Sequence, residues 1–466
     1  MPILGLLSTE SDANWRFKNV RRQVFYFYPN GAAPLTGLMS LMNDEDTDDP
    51  EYSWWEKRLD LQRTITKQSA AGNGPFLANP ATDITDGATT DAAAQTWVVG
   101  SIRAVRVDST ASLRIGHVIR IRNVTLSSGT IDLFGVITLI DTPDLKINVR
   151  SLTTTGAATV TEAGATTNVG NEVLIVGSAF SQGATALTPD NASPYNIPLQ
   201  FTNFAQIFRT PFEITGTALK TAVKYDDTGA YKDQAKEASV YHMIEMEKAF
   251  LFGTKAQLTS ATGGALITPG GTVSTIRNTT GGVLHHLARW EAGDYGTVTA
   301  AADADDDKRI IVNSGGTINE KTFNTYLERV FRVTNNTANE KLVLCGSGFL
   351  SVVNQLYKDK STLTADLPLT DTYGMNVVKH TCPFGTLYYK THPLFSQNPV
   401  LRYNAMILDI QNIKYRYMQG RDTELLKNRQ NNGDDFRRDE WLTEGGLELR
   451  FPESCMYLQN VTGYTP

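Results

Sequence analysis

Cysteine is scarce, with three in 466 residues, at Cys345, Cys382 and Cys455. An odd and widely spaced set excludes a disulfide framework and fits a reducing compartment. Long apolar runs are missing too. Stretches such as Val173–Val176 and Ala405–Leu408 fall far short of the roughly 20 residues that cross a bilayer as a helix, so no membrane partner is expected. Basic charge is not in excess, since 43 Lys and Arg face 49 Asp and Glu for a formal charge of −6. That balance argues against a dedicated nucleic-acid coat, which needs a strongly basic face. The opening run Met1-Pro2-Ile3-Leu4-Gly5-Leu6-Leu7 has no basic stretch and is too short for a secretion signal, and the expectation is a chain made in a cytoplasm without export.

Catalytic and metal-binding patterns are also absent. The six histidines, His117, His242, His285, His286, His380 and His392, show no metal-ligand spacing. His285 and His286 are neighbours on a helix and point about 100° apart, which does not suit chelation of one ion. No Cys-x-x-Cys, Gly-x-Ser-x-Gly or Gly-Lys-Ser/Thr loop occurs, which leaves no recognisable metal, nucleophile or phosphate site. Two near-motifs fail on inspection. Leu342-Val343-Leu344-Cys345-Gly346-Ser347-Gly348 opens like a dinucleotide fingerprint, but Ser351 stands where the third glycine belongs. It reads instead as a tight turn with Ser347 capping a helix. Asp303-Ala304-Asp305-Asp306-Asp307 invites calcium, yet Lys308 and Ser314 occupy the positions where the loop needs Gly and Glu. No cofactor, metal or catalytic residue is therefore expected, and the chain does not read as an enzyme.

What is present is a foldable composition, 41% hydrophobic and 20% charged, at a length that suggests two to four structural units. Residues 1–60 resemble an extended arm, with the cluster Phe25-Tyr26-Phe27-Tyr28 followed by the acidic run Asp44-Glu45-Asp46-Thr47-Asp48-Asp49. Asp49-Pro50-Glu51 has the form of a helix start, leading into the aromatic Tyr52-Ser53-Trp54-Trp55. An arm with large apolar groups and no core of its own must bury them elsewhere, which is a sign of association.

Residues 62–96, rich in Ala, Thr, Gly and Asp, read as a long loop or hairpin. From Trp97 to about Phe180 short alternating strands take over, as in His117-Val118-Ile119-Arg120-Ile121-Arg122, and suggest a small β-barrel or sandwich. The spacing from Asp226 to Phe252 predicts one long helix with Met243 and Ile244 on its packed side, closed by Gly253 as a left-handed cap. Residues 283–412 alternate helices and strands, predicting an α+β domain with a mixed sheet. The tail reads as a strand at Ile413–Met418, a charged loop from Arg421 to Glu440 that is solvated or touches another subunit, and a ribbon through Leu447–Phe451.

Three strings carry a family resemblance: Asn203-Phe204-Ala205-Gln206-Ile207-Phe208-Arg209-Thr210-Pro211-Phe212-Glu213 with Thr215-Gly216-Thr217-Ala218; Ala238 through Glu247-Lys248-Ala249-Phe250-Leu251-Phe252-Gly253; and Ala33-Pro34-Leu35-Thr36 with Asp48–Glu56. In that order, the chain resembles the major capsid proteins of tailed phages. The resemblance implies an α+β capsid fold, with an N-arm at 1–60, an E-loop at 61–200 holding the β-rich insertion (about 97–180), a P-domain at 201–282 with the spine helix at 226–252, an A-domain at 283–412, and C-terminal P-domain strands at 413–466. It also implies self-assembly into hexamers and pentamers of an icosahedral shell around double-stranded DNA bound without sequence specificity, with scaffolding, portal and decoration proteins as further partners, and a place in the virion after assembly in the host cytoplasm. Trp54, Trp55, Phe208, Arg209, Phe212, Met243 and Ile244 are the candidate interface residues. The competing reading is a β-rich surface- or carbohydrate-binding module of a virion.

Overall fold

A computed structural model describes residues 44–57, 63–67, 75–77, 94–97, 99–126, 129–152, 158–161, 168–180, 182, 198–220, 229–258, 277–292, 309–332, 339–358, 369–372 and 375–465. The aromatic cluster at 25–28 and the acidic stretch at 303–307 lie outside the described residues. The chain divides into two compact units, one formed by Met1–Glu56 with Leu199–Pro466 and the other by Lys57–Pro198.

The Lys57–Pro198 unit is a nine-stranded antiparallel sheet. Its main path runs Arg63–Ile65, Glu172–Ser178, His117–Leu126, Gly129–Asp141, Lys146–Ser151, Ile102–Arg106 and Phe76–Leu77. A bridge between Thr66 and Val107 joins the first of these strands to the sixth. Hydrogen bonds from Lys67 N to Arg106 O (3.0 Å) and from Asp108 N to Ile65 O (2.9 Å) reinforce it. The sheet thus closes on itself and removes the open edge that a flat sheet would expose. Ile119, Ile121, Leu133, Ile147 and Val149 fill the interior, while Arg120 pairs with Asp132 and Arg122 with Glu172 on the outside. The expected loop at 62–96 is corrected in part, because Phe76 sits in this core at 1% exposure.

The other unit has two main sheets. In the five-stranded one, Glu45–Thr47, Ile413–Met418, Phe436–Leu449 and Gln206–Thr215 lie side by side, with Glu424–Leu426 also paired to Phe436–Leu449. The charged stretch expected to be a loop up to Glu440 therefore enters a 14-residue strand at Phe436. The seven-stranded sheet mixes parallel and antiparallel pairs. It is ordered Ile311–Ile318, Met456–Tyr464, Ala405–Leu408, Glu340–Cys345, Gly385–Thr391, Met375–Cys382, Leu369–Thr372. The strand Met456–Tyr464 thus sits among the 311–408 strands and not with Ile413–Met418, so a boundary at 412/413 does not separate the two sheets. Helices Glu320–Arg332 and Ser347–Lys358 cover this sheet through Phe323, Leu327, Val330, Phe349 and Val353.

The longest helix spans Ala230–Phe252, 23 residues and about 35 Å at 1.5 Å per residue. It follows Gly229 at φ 88°, and the expected helical positions 226–228 lie outside the described residues. The expected helix at Asp49–Glu51 is instead the strand Glu51–Glu56, paired with Leu199–Phe204. Asp49 does cap the Glu51 N–H at 2.8 Å, but the turn it makes leads into a strand, because Tyr52, Trp54 and Glu56 alternate inward.

The glycines of the failed dinucleotide motif have a packing reason. A Cβ on Gly346 would lie 2.2 Å from the Arg402 carbonyl oxygen, and one on Gly348 would lie 2.6 Å from the Tyr403 ring. The chain's own Leu401–Tyr403 turn fills the space beside these glycines. Ser347 does not cap the helix it begins; its N–H donates to Ser396 Oγ at 3.2 Å. All three cysteines are free and buried, and burial pushes the Cys345 thiol up to about 12.

Candidate assembly surface

The strands Gln206–Thr215 and Phe436–Leu449 pair antiparallel over their common length. Alternation gives this pair an inner and an outer face. Phe208, Phe212 and Ile214 are buried on the inner face. There Phe208 meets Phe250 of the long helix edge-on at 6.0 Å, and Phe212 meets Tyr231 at 5.8 Å. From the second strand, Trp441 Nε1 donates to Ala235 O at 3.2 Å, and the Tyr231 hydroxyl donates to Asp439. Burial works against the Asp439 carboxylate, but Tyr231, the Asn428 N–H and Arg437 together hold it below the usual range. His242 spans both strands, with Nδ1 3.0 Å from Thr210 Oγ1 and Nε2 2.8 Å from Thr443 Oγ1. Its burial lowers the imidazole pKa.

The outer face is built from carboxylates that lie beneath arginines. Glu440 is nearly inaccessible and takes Arg209 Nη2 at 2.6 Å and Arg429 Nε at 3.3 Å. Glu444 takes Arg421 at 2.6 Å, and Glu448, fully buried, takes Arg416 at 2.6 Å and Arg450 at 2.5 Å. Arg209, Arg421 and Arg429 remain about half exposed. The carboxylates are thus compensated below the surface, and the guanidiniums present their remaining N–H groups outward. Guanidinium is weakly hydrated and donates in a planar fork, which suits it to contacts with another protein surface. At the sheet edge Glu45 accepts from Lys414 at 3.0 Å and pairs with Arg416 at 2.5 Å. The Lys414 hydrogen bond is the largest influence holding the Glu45 carboxyl below its ordinary range.

The seven candidate interface residues separate into three buried, three at the surface and one between. Trp54, Phe208 and Phe212 are buried inside the subunit. Trp54 stacks on Phe201 at 5.8 Å and donates from Nε1 to Glu56 at 3.0 Å. Trp55, Arg209 and Met243 reach the surface, with Trp55 63% and Met243 49% exposed, while Ile244 is partly buried. The expectation that Met243 and Ile244 form the packed side of the helix is corrected, since the buried stripe is Ala238, His242, Met246, Glu247, Phe250 and Leu251. Two polar residues hold core positions there because each finds a buried partner, His242 at the threonines and Glu247 at His392. Met243→Asp is therefore expected to leave the subunit folded, with a chemical denaturation midpoint that reports a change within about 0.5 kcal/mol, as for other surface positions. Sequence reasoning missed Ile207, Arg421, Arg429 and Glu440 as parts of one surface. The available signal is the alternation Arg438, Glu440, Leu442, Glu444, which starts inside the segment read as a loop and runs past its end.

A family model described as the SU10 major capsid protein matches residues 7–462 of this chain. The chain belongs to the SU10 major capsid protein family. A curated relative, the major capsid protein of Pseudomonas phage PaMx41, is 24% identical over 300 residues, covering 61% of this chain and 64% of its own length. The chain thus spans just under two thirds of the curated relative it matches. Among solved structures, the capsid asymmetric unit of cyanophage A-1(L) is similar at a TM-score of 0.39 and 11% identity, covering 62% of this chain and 85% of that one. The capsid of a native GTA particle is similar at 0.39 and 12%, covering 61% and 81%. Membership places this chain among structural capsid proteins of the virion.

Proposed function

We propose that this protein is the shell subunit of a tailed bacteriophage, assembling with copies of itself into hexamers and pentamers of an icosahedral capsid around double-stranded DNA. The single observation that carries this reading is the capsid-family match across residues 7–462, nearly the whole chain. In this reading residues 1–60 are the N-arm, 61–200 the E-loop with its β-barrel insertion, 201–282 and 413–455 the P-domain, and 283–412 with the strand Met456–Tyr464 the A-domain. Assembly takes place in the host cytoplasm, with scaffolding, portal and decoration proteins as further partners. The outer arginines are already paired with carboxylates and the chain is acidic overall, which favours protein contacts over a tight grip on DNA and lets the genome enter and leave.

The test is electron microscopy and sedimentation of purified protein, with its scaffold where one is encoded. Closed particles or capsomers are the expected result. A 51.2 kDa chain that stays monomeric under all assembly conditions would refute the proposal. Removing residues 1–43, which precede the first described strand, is expected to leave the far-ultraviolet circular dichroism of the subunit native-like and to abolish closed particles.

A further inference from the structure

The loop that joins Glu424–Leu426 to Phe436–Leu449 carries the pair Asn432-Gly433 at its tip. The same pair occurs at 30–31 and 73–74, outside the described residues, and among the described residues Asn432 is the only asparagine followed by glycine. The base of this loop is fastened. Arg429 N–H donates to Arg438 O at 2.8 Å, and the Asp435 carbonyl accepts the Gly216 N–H at 3.1 Å. Two longer bonds cross the tip, from Asp434 N–H to Asn431 O at 3.3 Å and from Asn431 N–H to Asp434 Oδ2 at 3.3 Å. Between them Asn432 and Gly433 are exposed. Among the described residues the Gly433 N–H donates no hydrogen bond and the Asn432 carboxamide has no partner. Gly433 sits at φ 105°, and no atom lies within 4 Å of a built Cβ.

An asparagine carboxamide can be attacked by the main-chain nitrogen of the next residue, which closes a five-membered ring. Closure needs a nitrogen that is not tied up in a hydrogen bond, no bulk on the following residue, and a backbone with room to turn. All three conditions meet at this tip, where glycine supplies the missing bulk and the conformational freedom. We propose that Asn432 is a site of self-modification, with water as the co-reactant. Gly433 N gives up its proton to solvent and bonds to Asn432 Cγ. The Cγ–Nδ2 bond breaks, and the departing nitrogen takes up a proton and leaves as ammonia. Water then opens the cyclic imide at either carbonyl, giving aspartate or isoaspartate. Both products place a new carboxylate beside Asp434 and Asp435, where like charges repel, and isoaspartate also lengthens the main chain by one carbon. The fastened base confines the change to the tip, so older copies of the chain differ from new ones in charge at one surface loop. The inference goes beyond the shell reading and does not rest on it.

The test is peptide mass analysis of the full-length folded protein, aged in mildly alkaline buffer. The tryptic peptide Gln430–Arg437 is expected to trade one ammonia for one water, and the intact chain to shift to the acidic side in isoelectric focusing. Asn432→Gln, which would have to close a larger ring, and Gly433→Ala are each expected to react at least tenfold more slowly. Both positions are exposed, and an unchanged urea midpoint checks that the variants stay folded. Asn313 is the internal control. It too is exposed and followed by a small residue, Ser314, but its Oδ1 accepts from Gly315 N–H at 3.1 Å and from Asn460 Nδ2 at 3.2 Å. Its amide is expected to persist.

If the folded protein keeps the Asn432 amide while the urea-unfolded chain loses it, the fold protects the site and the proposal is wrong. No mass change in either state refutes it as well. Conversion of Asn313 as fast as Asn432 would show that the tip has no special reactivity and would also overturn it.

Discussion

His392→Ala is expected to cost the unassembled subunit about 3 kcal/mol, in the range for withdrawing a hydrogen-bond donor from a buried carboxylate and opening a cavity. His392 Nε2 lies 2.8 Å from Glu247 Oε1, and both side chains are fully inaccessible. The ring's other nitrogen settles which group donates. Nδ1 accepts the Leu394 N–H at 3.1 Å and caps the helix Pro393–Gln397, so in the neutral ring Nε2 carries the hydrogen and donates it to the carboxylate. Removing the imidazole withdraws a donor from a buried carboxylate, uncaps that short helix and leaves a cavity beside Phe395, whose ring centroid is 5.3 Å from that of His392. Glu247→Leu removes the other half of the pair. It leaves one neutral N–H unsatisfied, so it should cost less, about 2 kcal/mol. The double variant Glu247→Leu, His392→Phe should cost clearly less than the two single changes combined, because both single changes remove the same hydrogen bond. Urea midpoints of the four proteins check this. Equal and small losses for both single variants would show that the pair does not tie the long helix to the C-terminal end of the strand Gly385–Thr391.

Local pattern revealed much of the fold, and distance in sequence concealed the rest. Alternation places Ile119 and Ile121 on one face of a strand, and both are at or below 1% exposure, because a half-buried strand imposes a period of two on its own residues. Asp49-Pro50-Glu51 misled because its capping geometry is real but local. What makes Glu51–Glu56 a strand is a partner that begins at Leu199. The outer face was hidden in the same way. Arg209 and Glu440 are 231 positions apart, and a run as charged as Arg421–Glu440 reads as a solvated or subunit-contact loop unless each buried carboxylate is known to have a guanidinium above it. Polarity alone puts Met243 and Ile244 inward, whereas His242 and Glu247 hold the buried positions through partners on other strands and loops. Pairing between distant polar groups overrode side-chain polarity, and nothing in the local sequence records that pairing.

Gly253 separates two physical reasons for a glycine, and substitution should show which applies. A left-handed cap would tolerate Asn far better than Ala, because Asn enters that region readily. Gly253 is extended instead, at φ −60° and ψ 151°. A Cβ there would lie 2.3 Å from the Ala249 carbonyl oxygen and 2.7 Å from that of Thr280. Both obstacles are backbone. Neither can swing aside as a side-chain tip would, and the Gly282 N–H holds the segment in place by donating to Gly253 O at 2.9 Å. Gly253→Ala and Gly253→Asn are therefore expected to cost about 3 kcal/mol each, the upper end for forcing atoms into packed space, with no advantage to Asn. Gly420 supplies the opposite case. It sits at φ 72° with no atom within 4 Å of a built Cβ, so Gly420→Asn should cost well under 1 kcal/mol and less than Gly420→Ala. Denaturation midpoints of these four variants read the contrast directly. If Asn rescued position 253 as it should position 420, the close approach of the long helix to the chain entering Val283–Glu291 would not be the reason for the glycine.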